Sequence, residues 1–341
     1  MASTRKTVAT IDKKILGICL AIILWAALAA NTWRFLPPDP DCVQAVSLYT
    51  EILRETTIIG LDYSSLTTTL GSLAVKKSSE NPVVAALLVR LLKDAGVTSD
   101  SVVAINASGS FPGFILASLS ACTALGIETY IIASVGSSTY GANMPENTIA
   151  DILLKDDVRR LAYTLLAVTP GGSGDRGLEL DAEELERVAK ALENRGLSFI
   201  RPANLTDAVN LREALLNNAG CTLLVNIGGS HASSGNDADL ALMSGILKPD
   251  KNKTYPEDGL IQRFLTAGKP VIQILNVNRL YASYGLEFDQ DGNPLGGYEE
   301  LYRRRRSFPL VMFLPVLVVV VLLAVFRYSR KDQRQGQRFI G

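Results

Sequence analysis

Between Ser101 and Ala133 the chain runs through an apolar strand pattern, a glycine-bearing turn, an apolar helix and a second strand. No other stretch constrains the fold as tightly. Ser101-Val-Val-Ala-Ile-Asn106 is a short continuous apolar run of the fully buried kind. Ala107 to Gly113 is a turn rich in small residues. Helical periodicity follows from Phe114 to Leu125 and stops at Gly126, and Glu128 to Ala133 reads as the next strand. A strand–helix–strand crossover of this length joins parallel strands, not antiparallel ones.

The alternation extends in both directions. Helical patterns cover Cys42 to Glu55 and Asn81 to Ala95. Downstream the spacing predicts a helix over Thr148–Leu166, a linker over Thr169–Gly177 and a helix from an Asp181 cap to Arg195. A short strand at Ser198–Arg201, a helix over Thr206–Ala219, a strand at Cys221–Ile227, a helix over Gly259–Thr266 and a strand at Pro270–Leu275 follow. The expected class is α/β, with a doubly wound, mostly parallel sheet. Asn106-Ala-Ser-Gly-Ser110 and Asn226-Ile-Gly-Gly-Ser230 repeat one pattern, Asn-x-small-Gly-Ser, each directly after a strand. This echo divides a body spanning 36–307 into two related halves, 36–168 and 178–307. A chance likeness between glycine turns is the alternative.

Two charge-free apolar runs flank the body. Ile15–Trp33 and Phe308–Phe326 each approach the roughly 20 residues a helix needs to cross a hydrocarbon core, so the expected fold carries a transmembrane helix at either end. A cleavable signal peptide is the alternative for the first run, where Ala27-Leu28-Ala29 resembles a cleavage site. Its length and the interfacial Trp33 favour an uncleaved anchor. Nine basic residues lie in the tails 1–14 and 327–341, against Arg34 and the run Arg303–Arg306 on the body side. That imbalance places both termini in the cytoplasm and the body outside. The equal totals of 34 Lys+Arg and 34 Asp+Glu hide a segregation: residues 35–307 carry 24 basic and 32 acidic residues, a net −8. The body holds Cys42, Cys122 and Cys221, an odd number, so one disulfide at most would leave a thiol over. Cys122 and Cys221 sit in apolar patterns that suit small core residues.

Chemistry is expected at the turns that follow the strands. Ser108-Gly109-Ser110, with Asn106 at the strand end, would offer hydroxyls and N–H groups to an anion. Asn226, Gly228, Gly229 and Ser230 repeat the arrangement, and Asn143 lies in the loop after Glu128–Ala133. The loop Gly171–Gly177 would act as a lid whose Asp175 and Arg176 contact the ligand, with Arg279 as a second cation for a carboxylate. Parallel strands put these loops on one edge of the sheet. His231 is the only histidine, so any serine hydrolase mechanism needs Ser110 or Ser108 as nucleophile, His231 as base and Asp237 or Asp175 as orienter. Neither serine lies in a Gly-x-Ser-x-Gly elbow. The plain alternative is that small residues simply let tight turns form. There is no complete dinucleotide fingerprint, no P-loop lysine and no Cys-x-x-Cys, so no cofactor, no metal and no nucleic-acid partner is expected.

A family resemblance accompanies these motifs. Ser108–Gly113, Ser134–Ser138 with Gly141–Asn143 and Pro145-Glu146, Gly171-Gly172 with Asp175–Gly177, and Val225–Gly229 are similar to the poly-gamma-glutamate system protein family. Lys269–Val271, Leu275-Asn276 and Tyr284–Leu286 continue the likeness, which spans roughly residues 40–300. The resemblance implies a membrane-anchored accessory of bacterial poly-γ-glutamate synthesis or export. Its body would bind polymer or the membrane subunits of the synthase, at the plasma membrane of a capsule-forming bacterium. It implies no catalytic residues. The alternative function is an amide hydrolase or transferase acting on that polymer or on the cell wall.

Overall fold

Six strands in the body build one sheet, and five of them are the continuous apolar runs that burial on both faces demands. They are β1 (Val102–Ser108), β2 (Glu128–Ser134), β3 (Thr164–Thr169), β4 (Leu223–Ile227), β5 (Gly245–Leu247) and β6 (Val271–Ile274). In space their order is β3-β2-β1-β4-β6-β5, all parallel except β5, which runs antiparallel to β6 along the edge. The computed structural model describes residues 38–302 other than Glu257 and Gly297, with isolated positions 17, 21, 22, 24, 25 and 321 besides. Pro38–Tyr302 forms one compact unit.

Alternate residues of each strand face opposite cores. Val103, Ile105 and Ala107 of β1 join a core with the helices α1 (Pro40–Glu55), α3 (Val83–Asp94) and α4 (Pro112–Ala124). Ala104 of β1, Leu224 of β4 and Val271 of β6 face a second core, closed by α7 (Leu205–Asn218) and α8 (Leu260–Thr266). Between these elements lie α2 (Leu73–Ser79), the short α5 (Ile149–Leu153) and α6 (Ala182–Asn194). Caps fix the helix starts. Asp181 accepts the Glu184 N–H at 2.8 Å to open α6, Asn204 accepts that of Asp207 at 2.9 Å to open α7, and Pro112 takes the first position of α4.

Several expectations need correcting. The helix expected over Thr148–Leu166 breaks early. Thr148 and Asp151 form a capping box, but α5 ends at Leu153, one further turn covers Asp156–Arg159, and Thr164–Thr169 is strand β3. This strand pairs in parallel with β2 from Thr164 opposite Tyr130 to Thr169 opposite Ser134, and Ala167, Val168 and Thr169 are buried there. The strand expected at Ser198–Arg201 shrinks to a parallel bridge between Phe199 and Val168. The three body cysteines are free, buried thiols, and burial pushes Cys42 and Cys221 up to about 11 and Cys122 to about 12. The apolar runs at 15–33 and 308–326, the tails beyond them and Arg303–Arg306 lie outside the described residues, apart from the isolated positions. Among the described residues no helix is long and apolar enough to cross a membrane. Apolar helices are present there, but α3 and α4 have 12 and 13 residues and bury almost every face in the core. The two-span plasma-membrane placement drawn from hydropathy is therefore withdrawn.

Strands β1 and β4 lie side by side at the centre of the sheet. The asparagines of the repeated motif are register partners there, and Asn106 Nδ2 donates to Asn226 Oδ1 at 2.7 Å. Asn226 in turn donates to Gln273 Oε1 of β6 at 2.6 Å. From α7, Arg212 reaches into this row. It donates to Asn106 Oδ1 at 2.6 Å, to Thr169 Oγ1 at 2.6 Å, to Ser134 Oγ at 3.0 Å and to Asp175 Oδ2 at 2.7 Å. Arg212 and Asp175 are both buried, at 2% and 0% exposure. Removing one member of such a pair strands the other charge away from water. Arg212→Ala or Asp175→Ala should therefore cost about 3–5 kcal/mol in urea unfolding. The double change to Met and Leu should recover part of that loss.

Candidate ligand pocket at the carboxyl edge

All five parallel strands release their following loops at one edge, and the strand order reverses between β1 and β4. A crevice forms outside that switch point, as open α/β sheets require. It is a cavity of about 630 Å³. The loop after β1 contributes Ser108, Ser110 and Phe111; the loop after β2, Gly136 and Ser138; the loop after β3, Gly171 to Ser173 and Glu179. The loop after β4 brings Gly229 to His231, the loop after β6 brings Asn276 to Asn278, and Thr68 to Lys76 close the rim. Gly228 shapes this site through its backbone. Its φ is +94°, and a Cβ there would lie 2.1 Å from Ser108 Oγ.

The strongest electrostatic feature was absent from the sequence reading. Lys76 is 2% exposed yet lines the cavity. Its Nζ contacts the Ser110 carbonyl, donates to Ser138 Oγ at 2.9 Å and sits 3.7 Å from the centroid of the Phe111 ring. No carboxylate pairs with it among the described residues, and burial lowers its pKa to about 7. Its neighbour Lys77 points to solvent and pairs with Asp291 at 3.0 Å. Helix α2 is held firmly enough to keep Lys76 in place. Tyr49 donates to the Ser79 carbonyl at 2.7 Å, Ser78 meets Tyr281 Oη at 3.0 Å, and Gly113 leaves room for Ser79, whose Oγ would lie 2.3 Å from a Cβ there. Across the cavity, burial works against the Glu179 carboxylate, but hydrogen bonds from Ser173 prevail and hold its pKa below the ordinary value.

Ser110 and His231 share the pocket without forming a hydrolytic pair. Ser110 Oγ accepts the Ser138 N–H at 3.0 Å. His231 Nδ1 accepts the Gly174 N–H at 3.2 Å, and Nε2 lies 3.2 Å from Asn236 Oδ1. Both ring nitrogens are thus engaged, in the pattern of a neutral imidazole protonated on Nε2. Asp237 caps the helix Ala238–Leu242 by accepting the Leu240 N–H at 2.9 Å, and does not orient His231.

The remaining predicted site residues divide between pocket and scaffold. Ser108, Ser110, Gly229 and Ser230 line the cavity. Asn106, Asn226 and Asp175 are buried in the polar row beneath it. Gly109 packs against the backbone of the loop after β2, where a Cβ would stand 3.0 Å from the Val135 carbonyl. Asn143 staples that loop to Leu61, accepting its N–H at 2.8 Å and donating to its carbonyl at 2.9 Å. Arg176 faces a separate surface depression beside Phe199 and Arg201, and Arg279 is exposed on the helix α9 (Val277–Ser283) outside the cavity lining. The Gly171–Gly177 loop expected to act as a lid is tied down, because Asp175 Oδ1 accepts from Gly171 N at 3.0 Å and from Thr169 Oγ1 at 2.8 Å. No group of three or more His, Cys, Asp or Glu positioned to hold a metal occurs among the described residues.

No family model matches the chain, and no curated protein matches it. Among solved structures it is similar to a hydrogen sulfide-producing enzyme from Fusobacterium nucleatum, at 12% identity and a TM-score of 0.21 over 75% of this chain and 90% of that one. An O-ureido-L-serine synthase follows at 14% identity and TM-score 0.19, over 72% and 82% of the two chains. The apo form of diaminopropionate ammonia lyase from Escherichia coli reaches 11% identity and TM-score 0.18 over 70% and 72%. Superpositions this loose carry no functional argument. Among the described residues no helix is long and apolar enough to cross a membrane, so the membrane and cell-envelope part of the description suggested by the resemblance is withdrawn.

The buried lysine makes stability depend on pH with a definite sign. In the unfolded chain Lys76 titrates at its ordinary 10.5, and in the folded chain at about 7. Between those values the unfolded chain holds a proton that the folded chain lacks, so this group makes stability rise as pH rises through that window. Lys76→Met should stabilise the protein below pH 7 and lose this advantage toward pH 10.5. Chemical denaturation of both proteins across that range reads the difference directly.

Proposed function

We propose that the body is a binding module for a small carboxylate-bearing ligand, serving γ-linked glutamate polymer formation as the resemblance of its turns implies. The observation that carries this reading is the cavity of about 630 Å³ at the switch point, walled by hydroxyls and small residues around one buried amine. The N–H groups of Gly229 and Ser230 take no protein acceptor among the described residues and border the same space. Hydroxyls, N–H groups and a lysine recognise a carboxylate without needing any bond to break. The hydrolytic alternative loses support, since the two His231 nitrogens meet Gly174 and Asn236 and neither meets Ser110.

A γ-linked glutamate dimer titrated calorimetrically into the full chain should bind saturably at one site per chain. Ser230→Trp, which fills the cavity from its rim, should weaken that binding at least tenfold at temperatures where urea unfolding shows the variant fully folded. Equal affinity for the wild-type and Ser230→Trp proteins would remove the pocket from the function.

A further inference from the structure

Lysine is a costly choice where Lys76 stands. A methionine or leucine would fill the same volume with no amine to desolvate, and Lys77 next to it shows what an ordinary surface lysine does. The Lys76 amine has no carboxylate to neutralise it among the described residues. Its neighbours are a carbonyl (Ser110), a hydroxyl (Ser138) and an aromatic face (Phe111). The first two accept hydrogen bonds from an amine whether it is charged or neutral. With burial favouring the uncharged form, a lone pair becomes available on a nitrogen that borders a ligand-sized cavity. Desolvated lysines of this kind are the nucleophiles that condense with carbonyl groups.

We propose that Lys76 captures a carbonyl compound as an imine, the ligand being an aldehyde or 2-oxo acid whose anionic group is held by the Gly229-Ser230 turn and the facing serine hydroxyls. The inference rests on the reading of this cavity as an anion-binding pocket, and it gives that ligand its reactive group. The Nζ lone pair adds to the carbonyl carbon, and the carbonyl π pair moves to oxygen. The two protons of the neutral amine then leave with that oxygen as water, so that a C=N bond replaces C=O. No oxidant, reductant or further reactant is consumed.

The test uses the full chain incubated separately with pyridoxal 5′-phosphate, pyridoxal and 2-oxoglutarate, each trapped with borohydride and mapped by peptide mass spectrometry. Reduction fixes the C=N bond on whichever lysine formed it. The expected result is one adduct per chain, on Lys76, abolished by Lys76→Met and unchanged by Lys77→Ala. Relative to a simple lysine derivative labelled in the same solution, the phosphorylated aldehyde should label Lys76 at least tenfold faster than pyridoxal does. Adducts spread over exposed lysines and unaffected by Lys76→Met would overturn the proposal, and equal relative rates for the two aldehydes would overturn its anionic half. If no adduct forms while the glutamate dimer still binds in a Ser230→Trp-sensitive way, the imine is wrong and the pocket reading stands. If that binding is also missing, both fall.

Discussion

The Arg212–Asp175 pair is the interaction on which the carboxyl edge of the sheet depends. Two charges taken fully from water stay ionised only when nearly every hydrogen-bonding position is filled, and here each strand of the parallel set supplies something. Asn106 comes from β1, Ser134 from β2, Thr169 from β3, Asn226 from β4 and Gln273 from β6, in one chain of side-chain hydrogen bonds. A register slip of one residue in β1, β2 or β3 would turn the polar side chain to the opposite face and take a partner from the guanidinium. The row therefore specifies pairing as well as adding to stability. It also explains why a nominally flexible Gly-Gly-Ser-Gly loop lies still: Asp175, at φ +61°, is the loop's own contribution to the ion pair.

Much of this fold is written in local sequence. Strands β1, β2, β4 and β6 are legible because buried parallel strands have to be continuous apolar runs, and α6 because Asp181 is a strong cap, whereas α7 starts one residue before the expected Thr206, behind an Asn204 cap. The Asn-x-small-Gly-Ser echo was legible too, although its meaning lies in space: the two asparagines face each other across β1 and β4. What stayed hidden are features decided by distant partners. Thr164–Thr169 follows a helical stretch without a glycine or proline to mark the change, and only an open edge on β2 makes it a strand. Strand β5 is three residues long, and its pairing with β6 leaves no periodic signature.

The same distinction separates the visible part of the site from the invisible part. Glycine- and serine-rich turns after strands announce a pocket at the carboxyl edge, and Ser108, Ser110, Gly229, Ser230 and His231 all line it. Roles within the pocket depend on hydrogen-bond partners that sequence does not contain. His231 looks like a candidate base because it is the sole histidine; in space its two nitrogens are occupied by Gly174 and Asn236. Arg176 and Arg279 look like ligand cations because they sit in the right loops, yet both lie outside the cavity. Arg212, in the middle of a charged helix, resembles a solvated face and is instead buried beneath the site. In a Lys76-Lys77 pair no local pattern says which amine is buried.

These facts bear on how the pocket works. Each wall is anchored separately to the body: Asn143 holds the loop after β2, Asp175 that after β3, Asn226 that after β4 by donating to the Gly228 carbonyl at 2.9 Å, and Tyr49 and Tyr281 hold α2. Walls anchored this way hold the shape of the pocket without help from anything inside it. The strain of maintaining it is carried by the scaffold, in the buried ion pair beneath and in the desolvated Lys76 at its wall. Hydrophobic burial on both sheet faces offsets those costs, because the same strands that end in polar residues bury Ile105, Ala104, Val225 and Leu224 one or two positions earlier. The apolar middle of the sheet thus contributes stability and its carboxyl ends wall the pocket, and the boundary between the two falls at Asn106 and Asn226.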